Sequence, residues 1–229
     1  MTPFARPEKP LERCRLALVT TGGVHLPEQP PFDIDDPLGD CSYREIPADA
    51  ERLTWTHAYH APDREDDLDV LFPLWTCRRL VAEGKVGGLT PRHFSFMGAI
   101  HDHGPLEEET APEVAAKLLA AGADAVLLTP SCPLCHRSVE VVGAILEGNG
   151  LPTVTLAMED GVEAPRVARV PFPYNLPMGP PGDRELHRRV ALEALGLLHA
   201  LEAPGEVRLL SGEPHEEGFQ KKNKPYRGF

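Results

Sequence analysis

A strand, a turn carrying two cysteines, a helix and a second strand follow one another between residues 123 and 157. No other run restricts the fold of this chain as much. Ala123-Asp-Ala-Val-Leu-Leu-Thr129 is short, apolar and β-prone. Pro130-Ser131-Cys132-Pro133-Leu134-Cys135-His136 follows at once, and Arg137 to Gly148 continues with helical spacing until Asn149-Gly150 stops it. Leu151-Pro-Thr-Val-Thr-Leu-Ala157 is the next strand. Two apolar strands joined by a helix make a βαβ unit, which runs parallel and crosses over right-handed. Parallel strands need helices on both faces, so the unit predicts an α/β protein with a mostly parallel, doubly wound sheet of Rossmann or flavodoxin type.

The remaining pattern extends this unit. Strands are expected over 15–21, 42–46, 53–57 and 93–97, with a late edge strand from Val207. Helices are expected over 74–83, 110–121 and 183–201, the second capped by Thr110 and the third by Asp183. Residues 27–40 and 159–182 are rich in Pro, Asp and Gly and read as long loops. The organisation is an irregular arm over 1–14, one α/β domain over 15–211, and a polar tail over 212–229. In open parallel sheets ligands bind beyond the carboxyl ends of the strands. Cys132 lies at such an end, and Gly22-Gly23-Val24-His25 and Gly98 also follow strands.

Charge and cysteine usage narrow the function. Acidic residues outnumber basic ones 35 to 23, giving −12, the wrong sign for a nucleic-acid binder. No apolar run reaches the length of a membrane span, and the first residues lack the apolar core of a signal peptide. The expected compartment is the cytoplasm, where thiols stay reduced. The five cysteines are irregularly spaced apart from Cys132 and Cys135, so no disulfide framework is expected. The long proline-rich loops favour a homo-oligomer.

A cysteine at a helix N-terminus sits among unpaired N–H groups and at the positive end of the helix dipole, which favours thiolate. A second cysteine three residues on lies about one turn away and can close a disulfide with the first. Cys132-Pro-Leu-Cys135-His136 also fits a c-type haem attachment, but the α/β context and missing export signal weigh against it. It fits half of a zinc site too, and no second Cys-x-x-Cys exists, although His57, His60, His101 or His103 could contribute. No metal ligands are therefore assigned. A redox dithiol or thiolate nucleophile is the favoured reading, with thiol–disulfide or peroxide reduction, a metal-binding subunit, and inert packing as alternatives. His136 and Arg137 adjoin the dithiol as a proton donor and a carboxylate or thiolate partner. His25, His57, Gly23 and Gly98 are the crevice residues expected to meet substrate, whereas His93 reads as structural.

Several segments resemble the selenoprotein B family, the selenium-containing subunits of D-proline reductase and of glycine, sarcosine and betaine reductases. The family pattern Sec-Gly-x-Cys-His-Arg-Ser is matched by Cys132 to Ser138. Thr21-Gly-Gly-Val-His25-Leu26, Tyr43-Arg-Glu-Ile-Pro47, Thr56-His57, His93-Phe-Ser-Phe-Met-Gly98 and Pro177-Met-Gly179 extend the resemblance over roughly 15–180. It implies a reductase that cleaves a carbon–nitrogen bond of a small amine or amino-acid derivative. Cys132 would be the nucleophile in place of selenocysteine, and Cys135 the resolving thiol. The chain itself would carry no cofactor beyond the cysteine pair. A pyruvoyl group would come from a companion reductase subunit and electrons from a thiol donor. Pro133 departs from the family glycine and removes one N–H at the helix start.

Overall fold

A computed structural model describes residues 3–58 and 67–211. Its frame is an eight-stranded sheet. β1 (Arg15–Thr20) lies at the centre, with β7 (Ala125–Thr129), β8 (Thr153–Ala157), β9 (Arg166–Arg169) and β10 (Glu206–Leu209) stepping outward on one side, all parallel. On the other side β5 (Gly88–Leu89) pairs with the first half of β1 and β6 (Arg92–Phe96) with the second, again parallel. β3 (Tyr43–Pro47) closes that edge antiparallel to β6. β2 (Val24–His25) and β4 (Thr54–Trp55) form a small antiparallel pair apart from the main sheet.

The alternation within each strand assigns the two cores. Leu16, Leu18, Ala125, Leu127, Val154 and Leu156 face one side, where α1 (Leu74–Ala82) and α4 (Arg184–Ala200) pack. Ala17, Val19, Val126 and Leu128 face the other, under α2 (Ala111–Ala120) and α3 (Pro133–Gly148). A strand of period two with both faces covered reads as a continuous apolar run, and β1 and β7 read that way. The chain leaves β1 towards β6 and leaves β7 towards β8. The switch point of the doubly wound sheet therefore falls between β1 and β7, where the expected crevice lies.

Asp183 caps α4 by accepting from the Leu186 N–H at 3.0 Å, and β10 is an edge strand, both as expected. The expectation for Thr110 is corrected. Its backbone is already helical and its side chain caps nothing, because buried Leu106 anchors a π-helical turn (Leu106–Thr110) ahead of α2. The reading of 159–182 as loop is corrected too, since it contains β9. The signal was hidden because the strand is only Arg-Val-Ala-Arg, and its first arginine is buried. The strand expected over 53–57 narrows to Thr54–Trp55. His60 and the tail over 212–229 lie outside the described residues.

Arg166 is fully buried and pairs with Glu147 of α3 at 2.8 Å. Glu147 also takes the Thr153 N–H at 2.6 Å and the Thr153 hydroxyl at 2.9 Å. The guanidinium stacks 3.8 Å from the Phe4 ring centroid and donates to the Ala5 carbonyl at 2.6 Å, which ties the N-terminal arm onto the sheet. Truncating one partner of such a pair strands the other charge in the interior, at a cost of about 3–5 kcal/mol. Glu147→Ala should destabilise the protein by that order in urea unfolding. Arg188→Ala, which breaks the more exposed and solvent-screened Arg188–Glu83 pair, should shift the unfolding midpoint far less.

Candidate active site at the carboxyl ends of the sheet

Three strand ends converge at the switch point. Thr20 of β1 pairs with Thr129 of β7 and with Ser95 of β6, so the loops that follow leave the sheet at one level. The loops are then laced together. The Thr21 N–H donates to the Thr129 carbonyl at 3.1 Å, the Gly23 N–H to the Phe96 carbonyl at 2.8 Å, and the Thr56 N–H to the Gly23 carbonyl at 2.8 Å. Gly23 has φ 71°, and a Cβ there would lie 2.2 Å from the Thr56 oxygen. Gly98 has φ 79°, and a Cβ would lie 2.1 Å from the Thr21 oxygen. Both positions bring two backbone segments together at a distance that only glycine permits.

Cys132 is the N-cap of α3. Its backbone is extended, Pro133 occupies the first turn, and its Sγ accepts the Cys135 N–H at 3.3 Å. The Cys135 Sγ lies 2.8 Å from the Cys132 Sγ, and His57 Nε2 lies 3.0 Å from the Cys135 Sγ. The two sulfurs are buried in a small apolar cluster with Phe32, Met97 and Ala99. Burial pushes both thiols up. At Cys132 this is outweighed by the adjoining Cys135 thiol, by nearby His57 and by the Cys135 N–H, which together bring it well below the ordinary thiol range. Cys135 moves well above that range, first through burial and then because it donates to, and faces, the Cys132 thiolate. The two thiols are thus shifted in opposite directions, Cys132 towards thiolate and Cys135 towards the protonated form.

The other residues singled out in the sequence take distinct places. His136 is fully buried, with Nδ1 2.7 Å from the Cys132 carbonyl oxygen and Nε2 accepting the Met158 N–H at 3.1 Å. Nδ1 therefore carries the proton, and burial keeps the ring neutral by lowering its pKa. It braces the helix start and the β8 end, with Tyr174 edge-on at 5.9 Å. Arg137 is exposed on α3, and its charge acts on Glu140 and His103. His25 is buried with Nδ1 2.8 Å from the Leu26 carbonyl and Nε2 2.9 Å from the Thr56 hydroxyl. It meets the dithiol cluster only through Phe32, edge-on at 6.1 Å. His93 accepts the Leu18 N–H at 3.0 Å, and burial lowers its pKa to about 3, in keeping with a structural role.

Sequence reasoning passed over two supports. Ser131 is pinned by Asn175, whose N–H donates to the Ser131 carbonyl at 2.6 Å and whose Oδ1 accepts from the Ser131 hydroxyl. Asn175 has φ 73°, a backbone that asparagine tolerates, and the Pro-Tyr-Asn run was the available signal. Ser138 bridges the site by donating to the Gly98 carbonyl at 2.8 Å and meeting His103 Nε2 at 3.0 Å.

The fold and this site define a doubly wound α/β protein with a polarised dithiol at its switch point. The chain is 32% identical over 206 residues to the D-proline reductase subunit gamma of Acetoanaerobium sticklandii, covering 87% of this chain and 84% of that protein. It is 29% identical to the glycine reductase complex component B subunit gamma of Symbiobacterium thermophilum, covering 84% of this chain but only 48% of that relative. It is 30% identical over 162 residues to the betaine reductase complex component B subunit beta of Peptoclostridium acidaminophilum, covering 67% of this chain and 36% of that relative. The chain thus spans about half or less of these two component B relatives. No protein-family model and no solved structure matches it. The chain belongs to the selenoprotein B family of reductase-complex subunits, with cysteine at position 132. No helix among the described residues is long and apolar enough to cross a membrane.

Iodoacetamide labelling across pH, read by peptide mass spectrometry, checks the polarised pair. Alkylation needs thiolate, so a lowered pKa moves the onset to lower pH. Cys132 should react well below the free-thiol value of about 8.5, with Cys135 remaining silent there. His57→Ala should shift the Cys132 onset upward. Gly98→Ala should destabilise the fold and slow Cys132 labelling, because the added methyl meets the Thr21 backbone.

Proposed function

We propose that this chain is the nucleophilic subunit of a reductase complex that cleaves a carbon–nitrogen bond in a small amine or amino-acid derivative. The observation that carries this reading is the polarised pair, with a thiolate-inclined Cys132 at 2.8 Å from a protonated Cys135. The Cys132 thiolate attacks the carbon bearing nitrogen. A C–S bond forms, the C–N bond breaks, and the nitrogen leaves with its electron pair and takes up a proton. Cys135, once deprotonated, attacks the Cys132 sulfur. An S–S bond forms, the C–S bond breaks, and the carbon takes the electron pair and a proton. The substrate gains two electrons, the dithiol becomes a disulfide, and a thiol donor restores it. His57, once its own proton has gone to the leaving nitrogen, would be placed to take the Cys135 proton in the second step.

The relatives are named as subunits of reductase complexes, which supports a companion subunit that activates the amine, for example through a pyruvoyl group. His25, Gly23 and Gly98 frame the crevice that would admit the substrate, and Arg137 offers a cation at its outer side. Thiol–disulfide or peroxide reduction by the same pair is the second reading. Cys132 is only 1% exposed, which favours a small substrate over a protein disulfide.

The test uses the complex isolated with its companion subunits, D-proline, glycine, sarcosine or betaine as substrate, and dithiothreitol as donor. Cys132→Ser should lower turnover by at least about a thousandfold. Cys135→Ser should retain attack but not resolution, and intact mass should show a thioether on Cys132. If no substrate turns over and no adduct forms, while the isolated chain reduces peroxide with dithiothreitol, the second reading replaces the first.

A further inference from the structure

We propose that the reduced site is also a metal site, in which His57 Nε2, Cys132 Sγ and Cys135 Sγ bind one zinc-class divalent ion and leave a fourth position open. The motif alone lacked donors for this. The fold brings in a third, since these atoms all lie within 4.8 Å of one another and all three residues are buried. They are the single such group among the described residues, and they come from two separate segments. Two sulfurs and one imidazole suit zinc and other borderline or soft ions, and three protein ligands with an open place form the pattern of reactive rather than structural zinc sites.

The geometry and charge both permit it. Zinc sits about 2.3 Å from thiolate sulfur and about 2.0–2.1 Å from imidazole nitrogen, which sets the two sulfurs about 3.8 Å apart in a tetrahedron. The present 2.8 Å separation opens to that by side-chain rotation. Two thiolates, a neutral imidazole and a doubly charged cation sum to zero, so the apolar cluster of Phe32, Met97 and Ala99 would enclose no net charge. A disulfide uses both sulfurs, so metal and disulfide exclude one another. Zinc has no redox chemistry of its own, and an occupied site keeps the pair reduced and masked.

The metal site stands on donor geometry and does not depend on the reductase reading, because uptake is read without substrate. The full-length chain is reduced, stripped of metal and titrated anaerobically with Co2+ and then Zn2+. One Co2+ per chain should bind, with a thiolate charge-transfer band and the strong visible bands of tetrahedral cobalt, and Zn2+ should bleach both. Zinc should protect Cys132 and Cys135 from iodoacetamide while Cys41 stays reactive. Protein oxidised with hydrogen peroxide, which takes two electrons and two protons from the dithiol to give two waters, should bind none. That control needs no variant. His57→Ala should weaken binding by roughly tenfold or more. The proposal is overturned if the charge-transfer band is absent, if oxidised protein binds equally well, or if His57→Ala leaves affinity unchanged.

Discussion

The site depends on the level at which three neighbouring parallel strands end. β1, β6 and β7 stop together, and the threonines at the ends of β1 and β7 fasten the break. The Thr20 hydroxyl donates to the Thr129 carbonyl at 2.8 Å, and the Thr129 hydroxyl donates to the Leu71 carbonyl at 2.6 Å. Side-chain hydroxyls thereby donate to carbonyls where the ladder runs out. The segments that leave this line after β1 and β6 are held by glycine approaches at Gly23 and Gly98. A shift of one residue in β7 would turn its apolar side chains to the opposite core and carry Cys132 away from His57. Packing of the sheet and placement of the chemistry are therefore one constraint.

Burial of the dithiol would by itself make both sulfurs unreactive. The structure resolves this by letting one sulfur act as the internal solvent of the other. Cys135, whose thiol is pushed up, lies 2.8 Å from the Cys132 sulfur, the helix start supplies an N–H to Cys132, and His57 contacts the Cys135 sulfur. The two groups titrate as a pair, and the asymmetry between them comes from position. Cys132 caps the helix, while Cys135 lies within its first turn and donates its own N–H to Cys132. His136 adds no proton to this exchange. Its two nitrogens are committed to backbone groups of Cys132 and Met158, so it holds the cap in place.

Much of this was legible in the chain. The βαβ unit around the dithiol, the doubly wound class and the position of Cys132 follow from local apolar patterning and cap chemistry. His57 was readable as a crevice residue because it follows a strand, but its contact with Cys135 spans 78 positions, and pattern carries no such distance. His136 and Arg137 show a finer limit. His136 is four residues after Cys132 and so returns to the same side of the helix, whereas Arg137 falls one step further and turns outward, as the 3.6-residue period requires. β9 escaped because its stability resides in tertiary partners. Val167 and Ala168 are ordinary, and Arg166 belongs in a strand interior only because Glu147 and Phe4 are waiting for it.

Cysteine at position 132, where the family resemblance implies selenocysteine, has a structural counterpart. A selenol ionises far more readily than a thiol, so a cysteine in this place must be made a thiolate by its surroundings. The proline at 133 fits that need. The N–H it removes is one that a helix start leaves unpaired in any case, and its fixed φ sets the first turn. Of the N–H groups that remain, that of Cys135 goes to the sulfur and that of His136 to the Cys132 carbonyl at 3.1 Å. A glycine there would offer one more donor but leave the turn freer. In this chain the rigid cap and the Cys135 N–H bear directly on the Cys132 sulfur, and the His57 imidazole reaches the pair through the Cys135 sulfur.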